Sequence, residues 1–414
     1  MLGLLLSRLV KSGTLTVVGP NGRKRIYGQG APAITMCLHD RRVATEIALR
    51  PELKLGEAYM DGRLTVENGD IADLVDLLIA NLEAQGEPTV MKFAGGIRRL
   101  LRRLAQFNPA GRAQRNVAHH YDLSGELYDL FLDEDRQYSC AYFETPDETL
   151  EDAQTAKKRH IAAKLHLDRQ GLKVLDIGSG WGGLALDLAC DCGASVLGVT
   201  LSREQLARAR DRARKAGLSQ RCSFELRDYR ALTGKFDRIV SVGMFEHVGV
   251  PHYRAFFAKL RDLLADDGVA LIHTIGRLHG PGASNPWITK YIFPGGYTPA
   301  LSEVLPAIER EGLMTTDVET LRLHYAYTLR AWRERFRANW DKAAAIYDER
   351  FCRMWDFYLG AMEVCFRRQG LVVFQIQVTK AIDALPVMRD YMVDDERSMR
   401  FAGTDRMPQA TKAA

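Results

Sequence analysis

At 414 residues, with 46% hydrophobic and 26% charged residues and only 14 prolines, the chain is too long for a single compact core and too apolar to be disordered. The apolar runs 1–6 and 268–276 fall far short of the roughly 20 residues that a membrane-spanning helix needs, which excludes an integral membrane protein. The net charge of +5 says little about partners until its distribution along the chain is considered.

The chain opens MLGLLLSRLV, without a basic stretch before its apolar residues and with Arg8 interrupting them, so no secretory signal is expected and the protein is assigned to the cytoplasm. Residues 1–90 read as a small α+β domain. The runs TLTVV, ITMCL and ATEIAL alternate, GPNG and Asp61-Gly62 signal turns, and a helix is predicted from Ile71 to Leu82. Residues 91–116 form a basic amphipathic linker. Between Pro88 and Tyr121 there is no acidic residue, whereas Lys92, Arg98, Arg99, Arg102, Arg103, Arg112 and Arg115 carry more positive charge than the whole chain's excess. Phe93, Ile97, Leu100, Leu101, Leu104 and Phe107 recur at helical spacing.

From 117 to 400 the pattern changes to strands alternating with helices. KVLDIG (173–178), SVLGVT (195–200), SFELRD (223–228), FDRIVSVG (236–243) and VALIHTIG (269–276) predict a parallel sheet covered on both faces. A helical region follows from Tyr325 to Gln369, then a strand over 371–378 that should close the sheet, and a polar tail, 401–414, expected to be disordered. The seven cysteines are odd in number and lack paired CxxC spacing, which favours free thiols in a reducing compartment and argues against structural zinc.

The sharpest local signal is VLDIGSGWGG, a hydrophobic strand entering Gly178, Gly180, Gly182 and Gly183 and then a helix. Glycines here let the backbone turn tightly and approach a ligand. The GxGxG spacing departs from the GxGxxG of dinucleotide sites, and Thr200 rather than an acidic residue ends the second strand. The pattern resembles the S-adenosylmethionine loop of class I methyltransferases. Asp176, Gly178, Ser179, Gly180 and Gly182 are the candidate loop residues. Thr200 and Gln205 stand where ribose-binding groups fall, and Asp228 and Tyr229 where a carboxylate and a ring can meet adenine.

Three further segments narrow the methyl acceptor: HYDLSGELYDLFLDEDRQYSCAYF (120–143), SVGMFEHVG (241–249), and HTIG with PWITKYIFPGG (273–276 and 286–296). With AWRERF and FRR near the C-terminus they resemble the cyclopropane-fatty-acyl-phospholipid synthases and their mycolic-acid relatives. LKLGEAYMDGRLTVE (53–67) resembles the lipid-binding extension of the phospholipid-acting branch. The resemblance implies an α/β, class I S-adenosylmethionine-dependent fold with a mostly parallel sheet. The implied reaction transfers a methyl carbon to the cis double bond of an unsaturated phospholipid acyl chain. The resulting carbocation is deprotonated by bound bicarbonate, which closes the ring. A methyl- or methylene-branched product is the alternative, since the same cation can lose another proton.

By the same resemblance, Cys140, Glu246, His273, Ile275 and Tyr325 hold the bicarbonate. Cys140 and Ile275 offer backbone amides, His273 and Tyr325 donate hydrogen bonds, and Glu246 takes the proton. Tyr138 and Ser139 lie against the cofactor. A carbocation requires a dry site with aromatic faces, for which Tyr121, Phe143, Phe245 and Tyr291 are the candidates. Ser179 and Met362 stand where many relatives carry cysteine, so no catalytic thiol is carried over to position 362. A homodimer is implied, and the absence of a recognisable RNA-binding module argues against nucleic acid. Arg98, Arg99, Arg102 and Arg103 are the candidates for peripheral contact with the inner face of the membrane, each contributing on the order of 1 kcal/mol beside anionic headgroups before screening.

Overall fold

The computed structural model describes residues 1–86 and 124–404. Tyr121, Arg98, Arg99, Arg102, Arg103 and the whole 91–116 linker lie outside the described residues.

The N-terminal domain comprises α1 (Leu2–Leu9), β1 (Ser12–Val18), β2 (Lys24–Leu38), α2 (Arg41–Leu49), α3 (Pro51–Met60), β3 (Leu64–Glu67) and α4 (Ile71–Gln85), with the strands in a three-stranded antiparallel sheet. The run ATEIAL, read above as alternating, is helical. Asp40 caps α2 by accepting from the amides of Arg42 and Val43, and Val43 and Ile47 then bury at i, i+4 spacing. Asp70 and Asp73 form a reciprocal capping box that starts α4.

The larger C-terminal part continues with α5 (Gly125–Asp129), α6 (Leu150–Lys164), β4 (Lys173–Ile177), α7 (Gly183–Asp191), β5 (Ser195–Thr200), α8 (Arg203–Lys215), β6 (Cys222–Leu226), β7 (Phe236–Val242), α9 (Tyr253–Leu263) and β8 (Leu264–Arg277). It ends with α10 (Pro286–Tyr291), α11 (Leu301–Arg310), β9 (Met314–Leu321), α12 (His324–Ala338), α13 (Trp340–Ile346), α14 (Glu349–Arg368), β10 (Leu371–Thr379) and α15 (Asp390–Thr404). The sheet order is β6-β5-β4-β7-β8-β10-β9, parallel from β6 to β8. The last strand does not close this sheet. It inserts antiparallel between β8 and β9, so that β9, missed in the sequence, becomes the edge. The reason lies in burial: β10 is buried almost throughout, as a central strand must be, whereas β9 is largely half-exposed. The tail expected to be disordered from 401 is helical as far as Thr404.

The two domains share one hydrophobic core. Residues of α1 to α4 pack in the same cluster as Phe131, Trp332, Trp355 and Leu359. A Cβ added to Gly360 of α14 would sit 3.0 Å from Ala72 Cβ of α4, so the helices touch backbone to backbone. Polar clasps flank this contact. Glu57 accepts from Lys290 Nζ (2.7 Å) and Tyr291 Oη (2.9 Å), and Asp356 accepts from Tyr59 Oη (2.8 Å) and Arg337 Nε (2.6 Å).

Candidate active site

Two cavities meet at the C-terminal edge of the parallel strands, where open α/β sheets form their sites. The smaller, about 230 Å³, lies over the glycine turn. Among the candidate cofactor residues, Tyr138, Ser139, Asp176, Gly178, Ser179, Gly180, Thr200, Gln205, Asp228 and Tyr229 line it. Gly178 and Gly180 have φ of +85° and +54°, a region that a side chain would strain. Gly182 is the exception among the predicted residues. It does not line the cavity, and a Cβ there would meet Phe224 and Ala209, so its task is close packing of α7 against β6 and α8. Gly183 takes its place, facing Asp135 and Gln137.

Several polar groups in this pocket fit a nucleoside cofactor. Asp176 Oδ2 and Ser179 Oγ are buried without a hydrogen-bond partner among the described residues. Burial pushes the Asp176 carboxyl up to about 7. Thr200 Oγ1 donates to Gln205 Oε1 (2.8 Å) and accepts from the Ser202 amide, which fixes the end of β5, while Ser202 Oγ caps α8. Asp228 is held by Arg230 through its backbone amide and guanidinium.

The larger cavity, about 760 Å³, brings together Cys140, Glu246, His273, Ile275 and Tyr325 from four separate stretches of chain. Glu246 lies in a short turn, Phe245–His247, just after β7. His273 is inside β8, level with Val242 at the end of β7, rather than at its strand's end. The Ile275 amide, expected to face an anion, donates to Glu246 Oε1 (2.6 Å), leaving Oε2 buried without a partner among the described residues. Loss of solvation raises the Glu246 carboxyl to about 7 despite that hydrogen bond. Burial lowers His273 to about 3, so its ring is neutral. Gln375 Nε2 donates to His273 Nδ1 (3.2 Å), which puts the ring proton on Nε2. Tyr325 is buried against Trp332 and Phe366. Cys140 is a buried thiol raised by desolvation, and its Sγ–H donates to the Ala141 carbonyl.

Tyr138, Ser139, Gly243 and His247 line both cavities and mark where they join. The loop carrying the first two is pinned from beneath. Gln154 Nε2 donates to the carbonyls of Gln137 and Ser139, and Lys157 Nζ donates to Gln137 Oε1 (2.6 Å) and Ser139 Oγ (2.9 Å). Lys157 is fully buried and lowered to about 8 by desolvation, and its charge acts on Asp176, Cys140 and His273. Sequence reasoning missed Gln154, Lys157, Gln375 and His247. A lysine and a glutamine give no local sign in the sequence that a helix will bury them.

Three of the proposed aromatic lining residues are corrected. Phe245 is buried behind the sheet, stacked on Tyr253 at 4.4 Å, because the short turn that presents Glu246 sends the preceding side chain the opposite way. Phe143 packs edge-on against Tyr327, and Tyr291 is committed to Glu57 at the domain junction. The rings that line the larger cavity are Tyr138, Trp287, Phe293, Tyr297, Tyr325 and Phe357. Phe293 lies 6.2 Å from His247, beside the junction. Met362 also lines this cavity.

A mostly parallel sheet with a pocket over its glycine turn is the fold of a class I S-adenosylmethionine-dependent methyltransferase. The family model of mycolic acid cyclopropane synthetases matches residues 109–376, and one described only as a domain of unknown function matches 4–86. The chain is 40% identical over 331 residues to the cyclopropane-fatty-acyl-phospholipid synthase of Escherichia coli K12, covering 80% of this chain and 84% of that protein. It is 36% identical over 364 residues to a probable fatty acid methyltransferase of Pseudomonas putida, covering 84% and 88%. The crystal structure of the mycolic acid cyclopropane synthase CmaA1 complexed with SAH and CTAB superposes with a TM-score of 0.61 at 34% identity, over 66% of this chain and 99% of that one. The chain belongs to the mycolic acid cyclopropane synthetase family and is an S-adenosylmethionine-dependent methyltransferase.

Proposed function

We propose that the chain transfers a methyl carbon from S-adenosylmethionine to the cis double bond of an unsaturated phospholipid acyl chain and closes a cyclopropane ring. The observation that carries this reading is the junction at Tyr138, Ser139, Gly243 and His247, where a nucleoside pocket opens into a large apolar cavity holding Glu246 and His273. Asp176, Ser179, Thr200 and Gln205 are the groups suited to hold the cofactor, which supplies an electrophilic methyl on a sulfonium for the alkene's electron pair to attack.

The remaining work falls to the protein. Methyl addition leaves a cation on the neighbouring carbon, which water would trap, so the rings of Tyr138, Phe293 and Tyr325 and the apolar wall serve to exclude water and face the charge. A proton must then leave the new methyl group so that its C–H electron pair forms the third ring bond. Neutral His273, donating through Nε2, the Tyr325 hydroxyl and the Cys140 backbone are suited to hold a bicarbonate ion, which would supply a base. Glu246, anchored on the Ile275 amide, is placed to accept the proton at Oε2. In this reading the amide of Ile275 orients Glu246 instead of contacting the anion. The reading includes peripheral contact with the membrane through the basic linker and a homodimeric assembly.

The similarity to a fatty acid methyltransferase keeps a methyl- or methylene-branched product as the second reading. Incubation with isotope-labelled S-adenosylmethionine and cis-unsaturated phospholipid vesicles, followed by proton resonance of the product, tests both. Upfield ring-methylene signals are expected. A vinylidene or branched-methyl signal in their place overturns ring closure and favours the second reading.

A further inference from the structure

The larger cavity does not end at the catalytic groups. From Cys140, Glu246 and His273 it continues past Phe357, Met362 and Cys365 of α14 into the N-terminal domain. There α1 presents Leu2, Leu5, Leu6 and Leu9, and α4 presents Val75, Leu78, Ile79 and Leu82. Both sets follow i, i+3, i+4, i+7 spacing, so each helix offers a single apolar stripe. Such stripes ordinarily close on each other as core, but here they border the cavity.

The surroundings differ along its length. Leu2, Leu6, Met36, Ile47, Val75 and Ile79 are buried, whereas Glu83, His279 and Gln369 stand exposed at the rim. A charged headgroup cannot enter the buried part without losing its hydration. The part of a lipid that fits there is the methyl end of an acyl chain. An acyl chain drawn from a bilayer leaves surroundings as apolar as this cavity, so transfer gains little from hydrophobic burial itself, and selection must come from fit. Fit to a length requires that the far wall stand at a fixed distance from the reacting groups. The close packing of Gly360 on Ala72, and of Gly56 on Trp287, where an added Cβ would come within 2.5 Å of Nε1, sets that distance.

The geometry points to a role for the N-terminal domain: it seats the methyl terminus of the substrate acyl chain between α1 and α4 and gauges the number of carbons beyond the double bond. This rests on the reading that an acyl lipid occupies the larger cavity. Two experiments test it. The first uses the unaltered full chain, with phosphatidylglycerol vesicles whose cis-unsaturated acyl chain carries a diazirine at its methyl terminus. Photolysis and peptide mapping should place adducts within 2–9 and 75–82, and adducts confined to α10 and the 277–298 stretch would overturn the proposal.

The second compares Leu6→Trp and Ile79→Trp with Leu4→Trp, whose position is 60% exposed and outside the cavity. The substrates differ only in the number of carbons beyond the double bond. Filling the seat should shift the ratio of kcat/KM for long against short chains by about tenfold towards short chains, with Leu4→Trp unchanged. A wild-type ratio in both cavity variants would sink the gauge. Turnover by the unaltered chain on any of these lipids keeps the underlying reading intact whichever way the gauge falls, and no turnover on any of them would refute that reading instead.

Discussion

The two cavities that join at Tyr138 and Gly243 are built in different ways. The smaller cavity is assembled within one domain, from the ends of β4, β5 and β6, their following turns and the loop before α6, and its walls are glycine backbone and buried polar groups such as Asp176 and Ser179. The larger cavity draws on both domains and on helices far apart in sequence, and its walls are mainly leucine, isoleucine and aromatic rings with a few polar groups at one region. The contrast separates recognition by directed hydrogen bonds, which local chain geometry can supply, from recognition by shape, which needs elements brought together by folding. The two should therefore fail independently when altered.

The largest expected effect is that of Glu246→Gln. Removing the carboxylate should lower kcat by about 10²–10⁴-fold, while S-adenosylmethionine affinity measured by calorimetry stays at the wild-type value. Near wild-type turnover would refute the role of Glu246 as proton acceptor. The same variant should melt at a higher temperature at pH 8. Glu246 has a folded value of about 7 against 4.5 unfolded, so folding takes up a proton and stability falls as pH rises between those values. Glutamine removes that loss.

Gly360→Leu attacks the domain contact instead. Overpacking against Ala72 should cost about 1–3 kcal/mol of stability in chemical denaturation and reduce turnover of vesicle phospholipid, with cofactor affinity preserved. A variant that loses cofactor binding in proportion to turnover would show that the two cavities are not independent.

The smallest effects are those of pH, and they divide between the cavities. As Asp176 ionises through about 7, affinity for the positively charged cofactor should rise. As Glu246 ionises over the same range, kcat should rise, and above about 8 it should fall as Lys157 loses its proton. In Glu246→Gln the acid limb of kcat should vanish while the pH dependence of cofactor affinity persists. Parallel loss of both would merge the two assignments.

Much of the pocket over the glycine turn was legible because its residues are local. A buried strand, a GxGxG turn and a helix start lie within about a dozen positions, and each has a direct conformational meaning. Gly182 does not line the pocket, and spacing alone cannot tell which glycine faces the cavity and which faces Phe224. The five residues proposed to hold the anion came from resemblance, and the structure brings them to one cavity, although Ile275 turns its amide to Glu246. The aromatic lining fared worst. Phe245 adjoins Glu246 in sequence yet points into the opposite core, and nothing in its neighbours reveals that reversal.

The sequence by itself determined the alternation of strands and helices, the glycine turn and the identity of the residues with chemistry to offer, because these depend on periodicity and short-range backbone geometry. Only the tertiary structure decided that β10 enters the sheet ahead of β9, that Lys157 and Gln375 stand against Ser139 and His273, and that α1 and α4 line the same cavity as Glu246. Those outcomes depend on which surfaces meet across hundreds of residues, and that is settled by packing the whole core at once.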